Sequence, residues 1–267
     1  MAPETITFDR LVTDYRNTAE HNDWLHTKLA EMTWADPLLA AHRRHVEDNT
    51  LGFGDPAFHS MWRLLLQAAA ARFGPVRALE IGVFKGQVIS LWSLLAREDR
   101  LDLRVSALTP LTGQPMPRSR VLNKLRHWFS PRFREQVASG NFHPEADYEG
   151  SIRALFARYS LDFDRVTVHR GYSTDPALLQ RLAAETYHIV YVDGDHTYEG
   201  ARHDFTHFGP KVAPGGWLVA DDAGADLPGT VFWKGFETVT RAAGELPGLG
   251  FANVLNVGHN RVYERTR

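Results

Sequence analysis

Residues Tyr187–Gly224 read YHIVYVDGDHTYEGARHDFTHFGPKVAPGGWLVADDAG. This stretch contains two short apolar runs rich in β-branched residues, Ile189–Val192 and Trp217–Ala220, and turn residues bound each run, which predicts two buried strands. Asp193 directly follows the first run, and the pair Asp221–Asp222 follows the second. If the strands are parallel, all three carboxylates emerge at the same carboxyl edge of one sheet, where open α/β sheets bind their ligands. The stretch therefore predicts both a parallel sheet and a ligand site at its edge.

Strands and helices alternate along the chain on both sides of this stretch. Further short apolar runs predict strands at 77–82, 103–108 and 166–169, with amphipathic or capped helices between them. Two neighbouring strands, Phe251–Val257 and Arg261–Glu264, end the pattern. This alternation predicts an α/β fold, namely a doubly wound, mostly parallel seven-stranded sheet with a C-terminal antiparallel hairpin.

Two segments fall outside this alternation. Residues 1–55 predict a helical N-terminal extension or lid, which ends where Asp55 and Pro56 form a helix start. Residues 111–164 lack a strong strand signal, begin with a basic run and are expected to shape the substrate pocket as an insertion in a domain spanning 56–267. Three aromatic residues of this insertion leave open either a pocket wall or a contact between copies of the chain: Trp128, Phe129 and Phe133.

The composition excludes several classes of function. With a net charge of −2, the chain offers no general electrostatic attraction for nucleic acid or an anionic membrane, and we expect neither as a partner. The absence of cysteine excludes a disulfide framework, a thiolate metal site and a cysteine nucleophile. The first residues do not have the basic-then-apolar order of a signal peptide, and no apolar run approaches transmembrane length, so a soluble, cytoplasmic protein is expected.

The glycine-containing turn after the first predicted strand is the second element of the site. It reads EIGVFKG, Glu80–Gly86, and glycines here let the backbone turn sharply into a helix and approach a ligand closely. Its spacing, E-x-G-x-x-x-G, differs from the G-x-G-x-x-G of dinucleotide-binding folds and lacks the Lys-Ser/Thr of a phosphate-cradling loop. The acid at the strand end favours a ligand that carries an amine over one that carries a pyrophosphate.

Together, the Glu80–Gly86 loop and the acidic block resemble class I S-adenosylmethionine-dependent methyltransferases over about residues 56–264. The nearest branch is that of the metal-dependent small-molecule O-methyltransferases, of the catechol, caffeoyl-CoA and macrolide-sugar types. The resemblance implies a Rossmann-like fold, S-adenosylmethionine as cofactor, and a small-molecule hydroxyl acceptor, such as a secondary metabolite or its sugar. It also implies five cofactor-binding residues: Glu80, Gly82 and Gly86 at the methionine end, Ser173 near the adenine, and Asp195 beside the cofactor.

The same resemblance implies roles for the acidic block. Asp193, Asp221 and Asp222 would hold a divalent cation, and His196 occupies the place where the catechol and caffeoyl-CoA branch has a lysine acting as base. Independently, three carboxylates without soft ligands select a hard cation such as Mg²⁺, which lowers the pKa of a bound hydroxyl. A histidine titrates near neutral pH and could take the proton, so His196 and Asp193 are the expected catalytic residues.

The second strand departs from the family pattern. Many family members end it with an acid that binds the cofactor ribose, whereas this chain has Thr109 and Pro110 there. The ribose hydroxyls must then be bound by Thr109, by a backbone group, or by a residue of the insertion such as Tyr148 or Glu149.

Other interpretations of the same residues stay open. The Asp221–Asp222 pair suits the start of a loop or a helix cap, Asp195 suits a cap, and His196 suits a surface position. The alternative functions are a metal-independent N- or C-methyltransferase, a hydroxylase-like relative that keeps the acidic cluster, and a catalytically idle cofactor-binding module. No motif specifies the methyl acceptor.

Overall fold

The computed structural model describes residues 6–266, so the first five residues of the predicted extension and the last residue of the predicted domain lie outside the described part. Seven strands lie within it: β1 (Val76–Ile81), β2 (Leu103–Thr109), β3 (Thr167–Arg170), β4 (Tyr187–Val192), β5 (Val212–Ala220), β6 (Phe251–Val257) and β7 (Asn260–Arg265). They form one sheet in the order β3-β2-β1-β4-β5-β7-β6. The first five strands pair in parallel, and β7 is antiparallel to β5 and β6. The predicted fold class is confirmed.

Helices flank this sheet, and several begin where the sequence places a cap. Asp55 accepts a hydrogen bond from the backbone of Ala57 at the start of α4, and Asp175 caps α9 in the same way, each followed by proline. The helices of residues 6–266 are α1 (Phe8–Asp14), α2 (Ala19–Ala35), α3 (Pro37–Asp48), α4 (Pro56–Phe73), α5 (Gln87–Glu98), α6 (Arg120–Phe129), α7 (Pro131–Ala138), α8 (Tyr148–Arg158), α9 (Pro176–Arg181), α10 (Tyr198–Phe208) and α11 (Glu237–Ala243).

The order of the strands brings the predicted site residues together. The chain moves outward from β1 to β2 and β3, then returns to place β4 on the other side of β1, so the crevice between β1 and β4 is the switch point of the sheet. Ile81 pairs with Val192, and Val192 pairs with Ala220. The residues that follow these three strand ends, Gly82, Asp193 and Asp221, therefore lie side by side at one edge.

The N-terminal helices pack onto the sheet domain through α4. Leu25 and Leu29 of α2 are completely buried in a hydrophobic core that also contains Trp62 of α4 and Trp217 of β5. Phe8 of α1 contacts the Trp217 ring edge to face, with ring centroids 5.4 Å apart. The N-terminal helices thus share a core with the sheet, which fixes their position relative to the site.

Two regions refine the expectations from the sequence. The apolar periodicity of residues 232–243 favours one helix, but α11 begins only at Glu237. Gly235 adopts a φ of +76°, and the Phe236 amide donates to the Asp222 carbonyl oxygen (2.8 Å), so this segment folds back onto the end of β5. In the insertion, the basic helix α6 buries none of its side chains.

Among residues 6–266, no helix is long and apolar enough to cross a membrane.

Candidate active site

A cavity of about 370 Å³ lies at the carboxyl ends of β1, β2 and β4. Four of the six residues predicted to bind the cofactor line it: Gly82, Thr109, Ser173 and Asp195. The insertion supplies the opposite wall through residues that include Arg132, Gln136, Asn141 and His143. We call this space the cofactor cavity.

Gly82 lines the cofactor cavity where the loops after β1 and β4 approach each other. Its φ is +90°, a conformation that residues with a side chain rarely adopt. A Cβ built there would lie 1.7 Å from the carbonyl oxygen of Asp193. Only glycine lets the loops after β1 and β4 come this close, and the same bare backbone is open to a ligand.

The loop after β4 is fixed from both sides. Asp195 Oδ1 accepts hydrogen bonds from Asn141 Nδ2 (2.7 Å) and from the amide of Thr197 (2.9 Å). Thr197 caps α10, so Asp195 lies two residues before the cap, where it also lines the cofactor cavity. The Ser173 carbonyl oxygen contacts His203 Nε2 (3.1 Å), which places Ser173 at the adjacent wall.

Two side chains with hydroxyl groups, Thr109 and Tyr148, lie where the ribose is expected to bind. Thr109 Oγ1 accepts a hydrogen bond from the Leu111 amide (3.2 Å) and lines the cofactor cavity. Tyr148 lines it as well, with its hydroxyl donating to the Pro144 carbonyl oxygen (2.9 Å). Glu149 is paired with Arg153 and Arg170 outside the cavity lining. Thr109 and Tyr148 are therefore the better placed of the three candidates.

Two predicted cofactor residues are placed differently. Glu80 lies at the end of β1, is buried, and lines a neighbouring cavity instead of the cofactor cavity. Gly86 lines neither cavity; it precedes α5 with a φ of +85°, and a Cβ there would lie 2.9 Å from Ile152 Cγ1 on α8. The second glycine of the motif is thus explained by the turn and by packing.

The neighbouring cavity has a volume of about 340 Å³ and contains the acidic cluster. It shares four lining residues with the cofactor cavity: Val83, Phe84, His143 and Asp193. Most of its remaining wall is apolar or aromatic, including Phe58, Trp62, Leu91, Trp233 and Phe236. The two cavities are neighbours that meet at these four shared residues, Asp193 among them. We call the second space the acceptor cavity.

The acidic cluster consists of three carboxylates and two imidazoles. His196 Nε2 lies 3.5 Å from Asp193 Oδ1 and 3.2 Å from Asp222 Oδ2. On the other side, His259 Nε2 lies 3.4 Å from Asp221 Oδ1 and 3.4 Å from Asp222 Oδ1. The predicted metal residues and the predicted base are thus brought together, with Asp222 between the two rings.

The cluster carries more negative charge than its surroundings offset. Burial and the charge of Asp221 raise the pKa of Asp193 to about 7 and that of Asp222 to about 9. Burial and the charge of Asp193 raise the pKa of Glu80 well above its ordinary value. Burial alone would lower the pKa of His196, but its pairing with Asp193 and Asp222 outweighs burial and raises that pKa to about 9. A bound cation would relieve this excess charge.

The donor atoms suit a divalent cation. Two groups of side chains offer one ligand atom each within 4.8 Å of one another: Asp193, His196 and Asp222, and Asp221, Asp222 and His259. The Asp221 Oδ1 atom is buried and has no hydrogen-bond partner among residues 6–266. Carboxylate oxygens with imidazole nitrogens at the margin fit a hard or borderline ion such as Mg²⁺ or Mn²⁺.

His196 is held in a fixed orientation. Its Nδ1 contacts the Ser139 carbonyl oxygen (3.1 Å), its amide donates to Asn141 Oδ1 (3.2 Å), and its ring stacks on Phe236 with centroids 5.0 Å apart. A carbonyl oxygen accepts only, so Nδ1 carries a proton and Nε2 is the nitrogen that faces the carboxylates. Insertion residues Ser139 and Asn141 thus position the candidate base.

His259 is the site residue that the sequence interpretation missed. It lies in the turn between β6 and β7, where its pKa is lowered by burial, so a neutral ring faces the cluster. The register offers a signal that could have found it: Ala220 pairs with Arg261, so the turn before β7 lies beside Asp221 and Asp222. A histidine in the turn of a hairpin next to a strand that ends in two acids is a candidate ligand.

The strand order, the glycine after β1 and the cavity at the switch point are the arrangement of class I S-adenosylmethionine-dependent methyltransferases. The profile of a family described as "Methyltransferase domain" matches residues 79–223, which run from within β1 to just beyond β5 and contain all three aspartates. The chain belongs to this methyltransferase family.

Solved structures share the fold at low sequence identity. The O-methyltransferase NovP superposes with a TM-score of 0.56 at 20% identity, covering 78% of this chain and 79% of NovP. A putative caffeoyl-CoA O-methyltransferase from Staphylococcus aureus gives a TM-score of 0.57 at 12% identity, covering 91% and 99% of the two chains. The O-methyltransferase TomG from Streptomyces achromogenes gives 0.51 at 17% identity, covering 92% and 96%. No curated protein sequence matches this chain.

Proposed function

We propose that this enzyme transfers the methyl group of S-adenosylmethionine to a hydroxyl oxygen of a small molecule, with the help of a divalent cation. The observation that carries this proposal is the position of the acidic cluster, in the acceptor cavity and at its junction with the cofactor cavity. An acceptor hydroxyl held at the cluster would lie next to the ligand of the cofactor cavity. Proximity of this kind supplies a large part of the rate enhancement in a two-substrate reaction.

Asp193, Asp221 and Asp222 would hold the cation, which supplies Lewis acidity that makes a bound hydroxyl more acidic. S-adenosylmethionine supplies an electrophilic methyl group, and Gly82, Thr109, Ser173 and Asp195 would bind it in the cofactor cavity. Asp193 belongs to the linings of both cavities, so it sets the distance between the two substrates.

His196 is the proposed base. With the carboxylates uncompensated, its pKa of about 9 keeps the ring protonated at neutral pH. Once the charge of these carboxylates is offset, that pKa returns towards its ordinary value, and Nε2 can accept the proton of the acceptor hydroxyl. The contact of Nδ1 with Ser139 holds the ring in the required orientation.

The aromatic walls of the acceptor cavity support a small organic acceptor with an apolar body. Trp62 and Phe58 form one side, and Trp233 and Phe236 form another. Such walls exclude water from the carboxylates and strengthen the electrostatic interactions there. Two structural neighbours support this chemistry: NovP and TomG are O-methyltransferases, and TomG is involved in tomaymycin synthesis. We therefore propose a secondary metabolite or its sugar as the acceptor class.

Removal of the divalent cation is expected to abolish methyl transfer without unfolding the protein. The full chain, treated with a chelator and assayed for S-adenosylhomocysteine formation with a panel of phenols and glycosides, should lose at least about 99% of its turnover, because the Lewis-acid contribution is several kcal/mol. Added Mg²⁺ or Mn²⁺ should restore it. Full activity in chelator would contradict the metal role, and NMR of the product would show whether oxygen, nitrogen or carbon carries the methyl group. Cofactor binding without transfer to any acceptor would favour the idle module.

His196→Ala is expected to lower kcat about 10²-fold at saturating Mg²⁺, as typical for the loss of a general base. The acidic limb of the kcat–pH profile should also disappear, which a loss of structure alone would not produce. His207→Ala is a matched control, since His207 is exposed on α10 and bonds to a backbone carbonyl of the same helix. Equal activity of the two variants would overturn the assignment of His196 as base.

A further inference from the structure

A chain of buried hydrogen bonds reaches the wall of the acceptor cavity from the N-terminal helices. His42 on α3 contacts Ser90 Oγ through its Nε2 (3.0 Å) and His59 Nε2 through its Nδ1 (3.0 Å). The three side chains are fully buried. Of the three, only His59 lines the acceptor cavity, and its Nδ1 has no hydrogen-bond partner within the described part of the chain.

The serine sets the direction of this chain. The Ser90 hydroxyl donates its single proton to the Gln87 carbonyl oxygen (2.9 Å), so Oγ accepts from His42 Nε2–H. His42 Nδ1 then carries the lone pair and accepts from His59 Nε2–H. The remaining nitrogen, His59 Nδ1, is therefore a bare acceptor.

The opposite direction is less favourable. If Ser90 donated to His42, the bond to Gln87 would be lost and His59 Nδ1 would hold a buried N–H without an acceptor. Buried N–H groups without partners are rarer in proteins than lone pairs without donors. Burial also lowers the pKa of His42 to about 3 and that of His59 well below its ordinary value, so neither ring gains a second proton near neutral pH.

We infer that His59 Nδ1 is a specificity-determining hydrogen-bond acceptor, which binds an O–H or N–H group of the methyl acceptor other than the reacting hydroxyl. The inference rests on the proposed function only in taking the acceptor cavity as the place where that molecule binds. Next to His59 on α4, Phe58 and Trp62 line the same cavity and offer apolar surface. An acceptor that places an alkyl or ether group at His59 leaves the nitrogen unpaired and is disfavoured.

The same contacts give α3 a role in the site. His42 does not line the acceptor cavity, but it determines which nitrogen of His59 is protonated. His42 is thus a positioning residue, and the N-terminal helices set the polarity of a cavity formed by the sheet domain.

The first test measures the tautomer of His59 in the full wild-type chain without any acceptor. Long-range ¹H–¹⁵N spectra of histidine-labelled protein, with the His59 signals assigned by their loss in His59→Gln, should show a protonated Nε2 and an unprotonated Nδ1 between pH 6 and 8. A protonated Nδ1 would overturn the inference. This result does not depend on methyl transfer, so it separates a failure of the subsite from a failure of the proposed function.

The second test uses hydroquinone and 4-methoxyphenol as probes of protein loaded with S-adenosylhomocysteine and Mg²⁺. After a statistical correction for its two equivalent hydroxyls, hydroquinone should bind about five-fold more tightly than 4-methoxyphenol. This ratio corresponds to the free energy of one ordinary hydrogen bond. The preference should disappear in His59→Phe and also in His42→Phe, which retains His59 but removes the acceptor of its Nε2–H. His45→Phe, three residues after His42 on α3 and outside the cavity lining, should keep it. Equal affinities in the wild type, or a preference that survives in His59→Phe, would overturn the subsite.

Discussion

Asp222→Asn is expected to lower kcat about 10³-fold in the presence of Mg²⁺, because several kcal/mol of charge stabilisation depend on the ligands of the cation. Asp222 contacts both imidazoles of the cluster: Oδ2 lies 3.2 Å from His196 Nε2, and Oδ1 lies 3.4 Å from His259 Nε2. It also belongs to both groups of candidate metal ligands. The amide keeps the size of the carboxylate and removes its charge, so the variant tests electrostatics and not packing. Steady-state turnover measures the loss in kcat, and Mn²⁺ titration measures the loss in metal affinity.

Asp226→Asn provides the matched control for this substitution. Asp226 lies four residues further along the same segment, is largely exposed, and pairs with Arg261. Because exposed ion pairs contribute little, its loss should leave kcat and metal affinity within about two-fold of the wild type.

Thermal stability separates a functional loss at Asp222 from misfolding. Burial and the charge of Asp221 raise the pKa of Asp222 to about 9, so above the pKa of an unfolded aspartate the folded, metal-free protein loses stability because it retains a proton that the unfolded chain releases. Asparagine removes that penalty, and the metal-free variant should keep or raise its Tm at pH 7. A lower Tm together with lower kcat would assign Asp222 a structural role, and an unchanged kcat would contradict the metal site.

The sequence was sufficient to predict the sheet and the carboxylates because both depend on local patterns. An apolar run that ends in aspartate shows where a strand ends, and parallel pairing brings such ends together, as Ile81, Val192 and Ala220 do in the structure. The order of the strands then follows from the few topologies that alternating strands and helices allow.

Contributions from distant segments could not be predicted in this way. His259 reaches the cluster because β7 pairs antiparallel with β5, and Asn141 reaches Asp195 because the insertion folds back over β4. The Asn141 contact has no periodicity or spacing that marks it, and only the place of His259 in the hairpin turn beside β5 points to its contact. The orientation of Glu80 depends in the same way on a distant segment, since the backbone of Ile89 on α5 hydrogen-bonds to its carboxyl group.

Gly82→Ala tests the geometry on which both cavities depend. A Cβ at this position would lie 1.7 Å from the Asp193 carbonyl oxygen and 2.8 Å from the Gly194 Cα, both of which are backbone atoms that cannot rotate away. The loop after β4 must therefore move, and Asp193 and Asp195 move with it. We expect a loss of about 3 kcal/mol in the free energy of unfolding, from the unfavourable positive φ and the overpacking together.

Gly74→Ala isolates the part of this effect that arises from φ alone. Gly74 follows α4 with a φ of +72°, and a Cβ there would meet nothing within 4 Å. Its substitution should cost about 1 kcal/mol in urea unfolding and leave the affinity for S-adenosylhomocysteine unchanged. Gly82→Ala should weaken that affinity about 100-fold in calorimetric titration, since a displacement of about 1 Å at a substrate-positioning loop is enough for such a loss. If the two alanine variants were equally stable and bound the ligand equally well, the close approach of the β1 and β4 loops would not be what forms the cofactor cavity.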